Sequence, residues 1–432
     1  MDLKIDFSTV TGVIKPMNAV NNGPAFTENE DQNGTNLPDF KAANIPYARV
    51  HDASICYDYG GEHTVDVLSI FPDFNADEND PDSYDFTLTD DYLSHIMLAG
   101  AQVFFRLGNK IEHWKKHYGI MPPPDFNKWA AVCEHIIAHM NEGWADGHRM
   151  NIEYWEIWNE PDGYNKCWTG TDEEFYDLFA VTAKHLKNRF PNIKVGGPAL
   201  CWVNEKWLRP FFTKIRNENV PLDFFSWHAY SSEVSKITDQ SKAARALLDE
   251  FGFYETESIL NEWNYVKGWS EPDWTYSKKT ERSSKGAAFI GAVMSACQKE
   301  KTDMLMYYDA RTNSTMNGLF DIYTLEKAKG YYPIMLWGKM LNMKNECFTE
   351  CTVPDVYVTA ASNGSEHVAM ISYFTDQCCA LPLSFKVKLN RDGLYTLSVL
   401  DETRDLIPYE LAAAEDGEIT LTMQPNTIIT IE

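Results

Sequence analysis

The chain has no run of apolar residues that approaches the roughly 18 needed to cross a membrane. Its first stretch, MDLKIDFSTVTGVIKP, also lacks the uninterrupted apolar segment that follows a basic start in a secretory signal peptide. We therefore expect a cytoplasmic protein without a membrane partner. This expectation assumes that no leader segment has been removed.

Basic residues are scarce, with 38 Lys and Arg against 63 Asp and Glu and a formal charge of −25. Such a negative field repels the phosphate backbone of nucleic acids and anionic lipid headgroups, so neither is an expected partner. The nine cysteines have no regular spacing, and Cys378 and Cys379 are adjacent. A disulfide framework is therefore not expected, and we predict reduced thiols.

The sequence has no HExxH motif. Two histidine pairs, His113 with His117 and His135 with His139, have the i, i+4 spacing that can hold zinc on a helix. We interpret both pairs as histidines on helix surfaces, and we predict no metal site and no cofactor.

Eight short apolar runs alternate with amphipathic segments in the first three quarters of the chain. At 432 residues and 44% hydrophobic composition, the chain suits one large domain and one smaller domain. The runs predict strands at 12–17, 46–51, 101–107, 153–159, 193–198, 223–230, 257–262 and 303–309.

Helical periodicity is clearest at 125–147, and another helix is predicted to begin at a capping box formed by Thr171 and Glu174. A third precedes the last strand, at 281–300. The alternation predicts an α/β fold, a (β/α)₈ TIM barrel over residues 12–345. A doubly wound open sheet would use the same elements, but no Gly-rich phosphate loop follows the first strand.

After about residue 345 the pattern changes to short alternating strands with turn residues between them. This pattern predicts an all-β sandwich module over 346–432. Residues 1–11 are a candidate edge strand of that module.

Two fragments, YWEIWNEPD (154–162) and SILNEWNY (258–265), each end an apolar run in Asn-Glu. The active site of a TIM barrel lies at the carboxyl ends of its strands. At about 3.3 Å per residue, Glu156 would lie roughly 13 Å below Glu160, so only Glu160 reaches the mouth. The same reasoning selects Glu262 on the seventh strand. One glutamate at a strand end is most simply a solvated loop residue, but two facing carboxylates suit glycoside hydrolysis.

These motifs resemble known enzymes. The string WEIWNEP, followed by a glutamate on the seventh strand, resembles clan A of the glycoside hydrolases. Together, GVIKPMNAVNNGP, ARVHD, SWHAY and ILNEWN resemble glycoside hydrolase family 39, the family of β-xylosidases and α-L-iduronidases. The resemblance implies a retaining double displacement, with Glu160 as acid/base and Glu262 as nucleophile. The implied sugar-binding residues are His51, Asp52, Asn159, His228 and Tyr230.

The sequence departs from the family at two places. Asn261 precedes the nucleophile where the family commonly has Thr, and the eighth strand ends MLMYYDARTN without the expected tryptophan. We expect Tyr308 or Tyr307 to supply the aromatic wall instead, and Asp309 to add a contact to a sugar hydroxyl.

The leading hypothesis is a retaining exo-glycosidase of β-xylosidase type that acts on short oligosaccharides or small glycosides. The alternatives are α-L-arabinosidase or α-L-iduronidase specificity, the latter requiring a basic subsite that these motifs lack, and a carbohydrate-binding protein without catalysis. Arg49 has two equally supported roles, neutralising carboxylates near Glu262 or pairing with Glu156. The sequence carries no signal from which an oligomeric state could be predicted.

Overall fold

The computed structural model describes residues 3–25, 34–53, 61–163, 165–390 and 392–432, with the side chain of Glu62 left out. Eight strands pair in parallel, each with the next along the chain, and the last pairs with the first to close a barrel. The barrel strands are β2 (Ala19–Asn21), β3 (Tyr47–Val50), β4 (Gln102–Leu107), β5 (Tyr154–Ile157), β6 (Lys194–Leu200), β7 (Phe224–Ser231), β8 (Glu257–Tyr265) and β9 (Met304–Tyr307).

Helices connect the barrel strands and cover the outside of the barrel, as the predicted TIM-barrel fold requires. The helices are α1 (Leu37–Ala42), α2 (Val67–Ile70), α3 (Thr87–Leu98), α4 (Phe126–Asn141), α5 (Asp172–Arg189), α6 (Glu205–Asn217), α7 (Val234–Glu250), α8 (Asp273–Glu281), α9 (Ser284–Gln298) and α10 (Tyr331–Met343). None of the helices in the part of the chain that the structure describes combines the length and the apolar character needed to span a bilayer.

The remaining strands form a second, mostly antiparallel sheet of nine strands in the order β15-β14-β17-β12-β11-β10-β1-β13-β16. All nine contribute side chains to one buried core, as in a sandwich. The strands are β1 (Leu3–Val13), β10 (Asn345–Cys351), β11 (Val356–Ser362), β12 (His367–Tyr373), β13 (Leu383–Leu389), β14 (Gly393–Leu400), β15 (Asp405–Ala414), β16 (Glu418–Met423) and β17 (Thr427–Ile431).

Helix α9 joins the two sheets, since it belongs to the barrel and packs against β11, β12 and β17. The hydroxyl of Ser372 on β12 donates a 2.7 Å hydrogen bond to the carbonyl of Ala288 on α9. The TIM barrel with an added β-sandwich is thus confirmed as the fold class.

Three predicted elements are wrong in their positions. The strand predicted at 257–262 continues as β8 to Tyr265, so Glu262 lies within the strand and not at its end. The first barrel strand was predicted at 12–17, but Val13 ends β1 and the barrel begins only at Ala19. Pro16 has no N–H to donate to a ladder, and the residues around it connect the two sheets. The helix predicted at 125–147 ends at Asn141. It cannot continue because residues 143, 145 and 146 have positive φ values of 82°, 54° and 57°.

The candidate active site

A turn, and not the strand itself, presents Glu160. Strand β5 ends at Ile157, and Trp158 and Glu160 have φ values of 72° and 45°. The buried Trp158 anchors this turn, because its indole N–H donates a 2.7 Å hydrogen bond to the carbonyl of Cys167. The 13 Å spacing expected between Glu156 and Glu160 assumed an extended chain, so it does not apply.

Adjacent strands place Glu262 beside two side chains of the SWHAY motif. Glu262 lies on β8, in register with His228 on β7 across an irregularity that follows Trp227. Tyr230 lies two residues further along β7 and therefore faces the same side. Its hydroxyl donates a 2.8 Å hydrogen bond to Oε2 of Glu262.

His228 lies between the two carboxylates. Its Nδ1 is 2.8 Å from Oε1 of Glu160 and 3.4 Å from Oε2 of Glu262. The imidazole nitrogen and one oxygen of each carboxylate all lie within 4.8 Å of one another. The structure therefore brings the two predicted carboxylates together in one pocket.

Arg49 connects the floor of the pocket. Its Nη1 is 2.7 Å from Oε1 of Glu262 and 3.0 Å from the amide oxygen of Asn21. Its Nε is 2.6 Å from Oε2 of Glu156, and its Nη2 donates a 2.7 Å hydrogen bond to Oδ1 of Asn159. Both roles considered for Arg49 are therefore present at once, and this fully buried guanidinium compensates two carboxylates.

The other oxygen of Glu156 is also saturated. Oε1 accepts 2.5 Å hydrogen bonds from the hydroxyl of Ser226 and from Nδ2 of Asn261. Because Glu156 is completely buried, these bonds and Arg49 replace the water that its charge would otherwise need. Asn261, the departure noted in the sequence, thus supports the layer beneath the pocket.

The surrounding charges shift the pKa of Glu262 strongly. Burial raises this pKa, but the positive charges of His228, Arg49 and His51 outweigh burial and lower it to about 2. Burial lowers the pKa of His228, whereas Glu262 and Glu160 raise it, and the net pKa is above the ordinary value. Burial and then the charge of Glu262 raise the pKa of Tyr230 well above its usual range. Glu262 is therefore an anion that accepts a hydrogen bond from a neutral tyrosine.

Several buried polar atoms in the pocket have no hydrogen-bond partner among the described residues. They are Nε2 of His51, Nε2 of His228 and Nδ2 of Asn159. The amide of Asn159 is oriented by Arg49, which holds its oxygen and leaves its NH₂ group unpaired. Buried polar groups without partners are costly, so these atoms suit a polar ligand such as a sugar.

The remaining predicted residues form the far wall. His51 and Asp52 are joined by a 3.1 Å contact between Nδ1 and Oδ2. The ring of Tyr308 meets those of His51 and Tyr230 edge-on, with centroids 5.9 and 6.4 Å away. Tyr308 is therefore the aromatic residue of this wall. Its neighbour Tyr307 packs on Trp263, with 5.5 Å between ring centroids.

Asp309 is fully buried, and its Oδ1 accepts hydrogen bonds from Nδ2 of Asn22 and the backbone N–H of Arg311. Asn22 also accepts hydrogen bonds, through Oδ1, from the backbone N–H groups of His51 and Asp52. These contacts give Asp309 and Asn22 a clear role in fixing the loops of the far wall.

Sequence reasoning missed three residues at this site. The thiol of Cys167 is 3.8 Å from Oε2 of Glu160, and Nη2 of Arg311 is 3.6 Å from Oδ2 of Asp52. Asn21 holds Arg49 from the end of β2. Only Asn21 had a usable signal, since a polar Asn-Asn pair ends the first barrel strand within the quoted motif. Cys167 and Arg311 come from loops whose return to the pocket no local pattern predicts.

Among the described residues, two sets of three side chains have a spacing that could hold a metal ion. One set is Glu160, His228 and Glu262. The guanidinium of Arg49, 2.7 Å from Glu262, already supplies positive charge there and disfavours a cation. The other set is Asp90, His139 and His148, outside this pocket.

The sequence profile described as Glycosyl hydrolases family 39 matches residues 50–305. A beta-xylosidase of Geobacillus stearothermophilus is 25% identical over 227 residues, covering 46% of this chain and 44% of the relative. A beta-xylosidase of Caldicellulosiruptor saccharolyticus is 29% identical over 204 residues, covering 45% of this chain and 38% of the relative. The matched part thus spans less than half the length of either relative.

Solved structures agree on the fold over the whole chain. The crystal structure of a glucosidase from Croceicoccus marinus superposes with a TM-score of 0.80 at 20% identity, covering 99% of this chain and 97% of the other. At this identity the likeness concerns the fold alone.

Proposed function

The chain belongs to the glycosyl hydrolases family 39, and from this premise we propose that it is a retaining exo-glycosidase of β-xylosidase type. Its substrates are short oligosaccharides or small glycosides with a terminal pentosyl residue. The observation that carries the proposal is the Glu160–His228–Glu262 constellation, in which one carboxylate is a stabilised anion and the other lies within 4.8 Å of it.

The separation of the carboxylates supports retention. Retaining glycosidases have carboxyl groups about 5–5.5 Å apart, whereas inverting enzymes need about 6.5–9.5 Å to admit a water. One oxygen of Glu160 lies within 4.8 Å of one oxygen of Glu262, which favours the shorter of the two separations. We therefore assign direct attack on the sugar to one of the two carboxylates.

The charges support the division of roles. In the first step Glu160 protonates the glycosidic oxygen while Glu262 attacks the anomeric carbon, so the alcohol leaves and a glycosyl ester forms on Glu262. In the second step the Glu160 carboxylate takes a proton from water, which displaces Glu262 and releases the sugar. Arg49 and Tyr230 hold one Glu262 oxygen each and keep the group ionised and aligned.

The unpaired polar atoms support binding of a sugar in front of Glu262. Asn159 directs its NH₂ group from the position before Glu160, which suits the hydroxyl beside the reacting carbon. Nε2 of His51 lies 3.8 Å from Oε1 of Glu262 and suits a second hydroxyl on the same side. Both contacts would strengthen as charge develops on the sugar ring in the transition state.

An exposed aromatic residue supports a small leaving group. The indole of Trp269 is 61% exposed, meets the ring of Tyr230 edge-on at 5.2 Å and stacks on Trp274 at 5.4 Å. It extends the aromatic wall from the pocket to the surface on the β8 side. A flat ring there would pack on the first sugar or aryl group that leaves.

We assign the reaction to the barrel, which begins at Ala19, and a supporting role to the nine-stranded sheet, which consists of β1 and the strands from Asn345 onward. The contacts of α9 with β11, β12 and β17 favour this role, because they cover an apolar face of the barrel.

The test is a panel of aryl glycosides of β-xylose, α-L-arabinopyranose, β-galactose, β-glucose and α-L-iduronate, followed by NMR of the first anomer released. We expect the highest kcat/KM for the β-xyloside and a product of retained configuration. A preferred β-glucoside would replace the pentosyl specificity, and a product of inverted configuration would exclude the double displacement. Sugar binding without turnover of any glycoside would identify a carbohydrate-binding protein.

A further inference from the structure

Three side chains from separate elements meet outside the candidate active site. Asp90 lies in the first turn of α3, His139 lies in the last turn of α4, and His148 lies in the segment after α4. That segment folds back on α4, since the backbone N–H of His148 donates a 2.7 Å hydrogen bond to the carbonyl of His139. Sequence spacing had paired His139 with His135 on a helix surface, but His139 is buried.

The spacing of these three groups fits a tetrahedral metal ion. Nε2 of His139 is 3.1 and 3.2 Å from the two oxygens of Asp90, and Nε2 of His148 is 3.2 Å from Oδ2 of Asp90. Ligand atoms bound to zinc at about 2.0–2.2 Å in a tetrahedron lie about 3.3 Å apart. Two of the three separations therefore match this spacing, and the two imidazole nitrogens lie within 4.8 Å of each other.

The proton on His139 explains why a cation is needed. Nδ1 of His139 lies 2.8 Å from the carbonyl oxygen of Trp144, which can only accept, so Nδ1 carries a proton. In the neutral ring, Nε2 then directs a lone pair at the oxygens of Asp90, which are acceptors too. The imidazole is only 2% exposed, so water cannot relieve this conflict. A second proton or a metal ion must lie between the two groups.

The surroundings of His139 favour the metal ion. A histidine that binds a metal usually donates its other N–H to a carbonyl or carboxylate, as His139 does to Trp144. Its ring is fixed by stacking on Phe86 at 3.5 Å, and a Cβ at Gly147 would come within 2.7 Å of its Nδ1. The side chains of Asp90 and His148 are 25% and 36% exposed, which leaves an open side for a water as fourth ligand.

We propose that Asp90, His139 and His148 bind one divalent transition-metal ion of the zinc type. The ion ties α3 to the segment that follows α4 and thereby stabilises the fold. Imidazole and carboxylate ligands together suit zinc, whereas magnesium and calcium prefer ligand sets made of oxygen atoms.

The test measures zinc content and melting temperature of the full chain, before and after addition of Zn²⁺ and of a chelator. We expect one zinc per chain in the absence of chelator and a Tm that rises by about 2 °C or more with Zn²⁺. Asp90→Asn and His148→Gln should lose both effects. Asp91→Asn, at the next position of α3, and His113→Gln, at an exposed site, are the matched controls and should keep them.

Glu262→Gly separates this site from the pocket, because it removes a ligand of the other set and should leave the bound zinc unchanged. Zinc that is lost in Glu262→Gly but kept in Asp90→Asn would place the ion in the pocket and overturn the proposal. A wild-type chain with no stoichiometric zinc and an unchanged Tm would also overturn it.

Discussion

The two carboxylates of the pocket are held in different ways. Glu262 lies on a strand with a side chain 5% exposed, and Arg49, Tyr230 and His228 direct donors at it. Glu160 lies on a turn with a side chain 16% exposed, and its partners include His228 and the thiols of Cys167 and Cys201, which are weak donors. The pocket thus surrounds Glu262 with more cationic groups than Glu160, and each prediction below tests this difference.

The largest effect is expected for Glu262→Gly. Loss of the nucleophile should lower kcat by on the order of 10⁴-fold or more for every leaving group, with no burst and no covalent adduct. Azide in the vacated space should attack directly and give a glycosyl azide of inverted configuration, detectable by NMR. A glycosyl azide of retained configuration from this variant would reverse the roles of Glu160 and Glu262.

Glu160→Ala should retain the first step of the reaction and lose the second. A substrate with an activated aryl leaving group should still glycosylate Glu262, giving a burst and then a stalled intermediate, because the general base is missing. Steady-state turnover should fall by about 10²–10⁴-fold. Azide needs no base, so it should restore turnover and yield the retained glycosyl azide. Absence of a burst and of a covalent adduct by mass spectrometry would contradict the assigned role.

Arg49→Met should damage both activity and stability. It removes the guanidinium that compensates the buried charges of both Glu156 and Glu262, which should lower the free energy of unfolding by about 3–5 kcal/mol. The loss of a donor to Glu262 should lower kcat by on the order of 10²–10³-fold. Arg189→Met is the matched control, because its ion pairs are exposed, and it should change the free energy of unfolding by less than about 1 kcal/mol. Denaturant unfolding measures the free energy of unfolding of the two variants. An equal loss of stability in Arg49→Met and Arg189→Met would refute the proposed role of Arg49.

The pH dependence of kcat/KM should reflect the charges around the two carboxylates. The pKa of Glu262, about 2, predicts little loss of kcat/KM from protonation of this group until pH falls toward that value. The pKa of His228 is raised above 6.5, so its proton is present below pH 6.5 and is lost as pH rises through the raised value. Loss of this proton removes a positive charge from beside Glu262 and Glu160, so kcat/KM should decline on the alkaline side.

His228→Asn tests that assignment, since the amide can still donate to Glu160 but cannot carry a charge. We expect its alkaline limb to move while the acidic side stays unchanged. Identical alkaline limbs in the wild type and the variant would exclude His228 as its source.

The smallest effect is expected for Trp269→Ala. In the proposed complex the indole packs on the departing group and not on the reacting sugar, so KM for aryl glycosides should rise by about tenfold or less while kcat stays within a factor of about two. Tyr254→Ala, another exposed aromatic, is the control and should change neither constant. A large fall in kcat with unchanged KM would place Trp269 in the chemical step.

The barrel and its two carboxylates were predictable because both depend on local signals. Apolar runs of strand length repeat along the chain, and each Asn-Glu pair stands at the end of one. The environment of Glu160 was not predictable, because Trp158 and Glu160 adopt positive φ values and neither residue type signals such a conformation in a sequence. The partners of Arg49 come from strands β2, β5 and β8, and only the closed barrel brings them together.

Strand β1 places a constraint on how the chain is made. It lies between β10 and β13 in the nine-stranded sheet, with Leu3 opposite both Cys351 and Val387, so β13 and β16 join the sheet only through it. At a synthesis rate of about 5–20 residues per second, the first strand must wait roughly 20–70 s for its partners to leave the ribosome. During that time the barrel can close, while an apolar strand edge stays exposed. Chaperone occupancy of β1 should therefore last until β10 and β13 emerge.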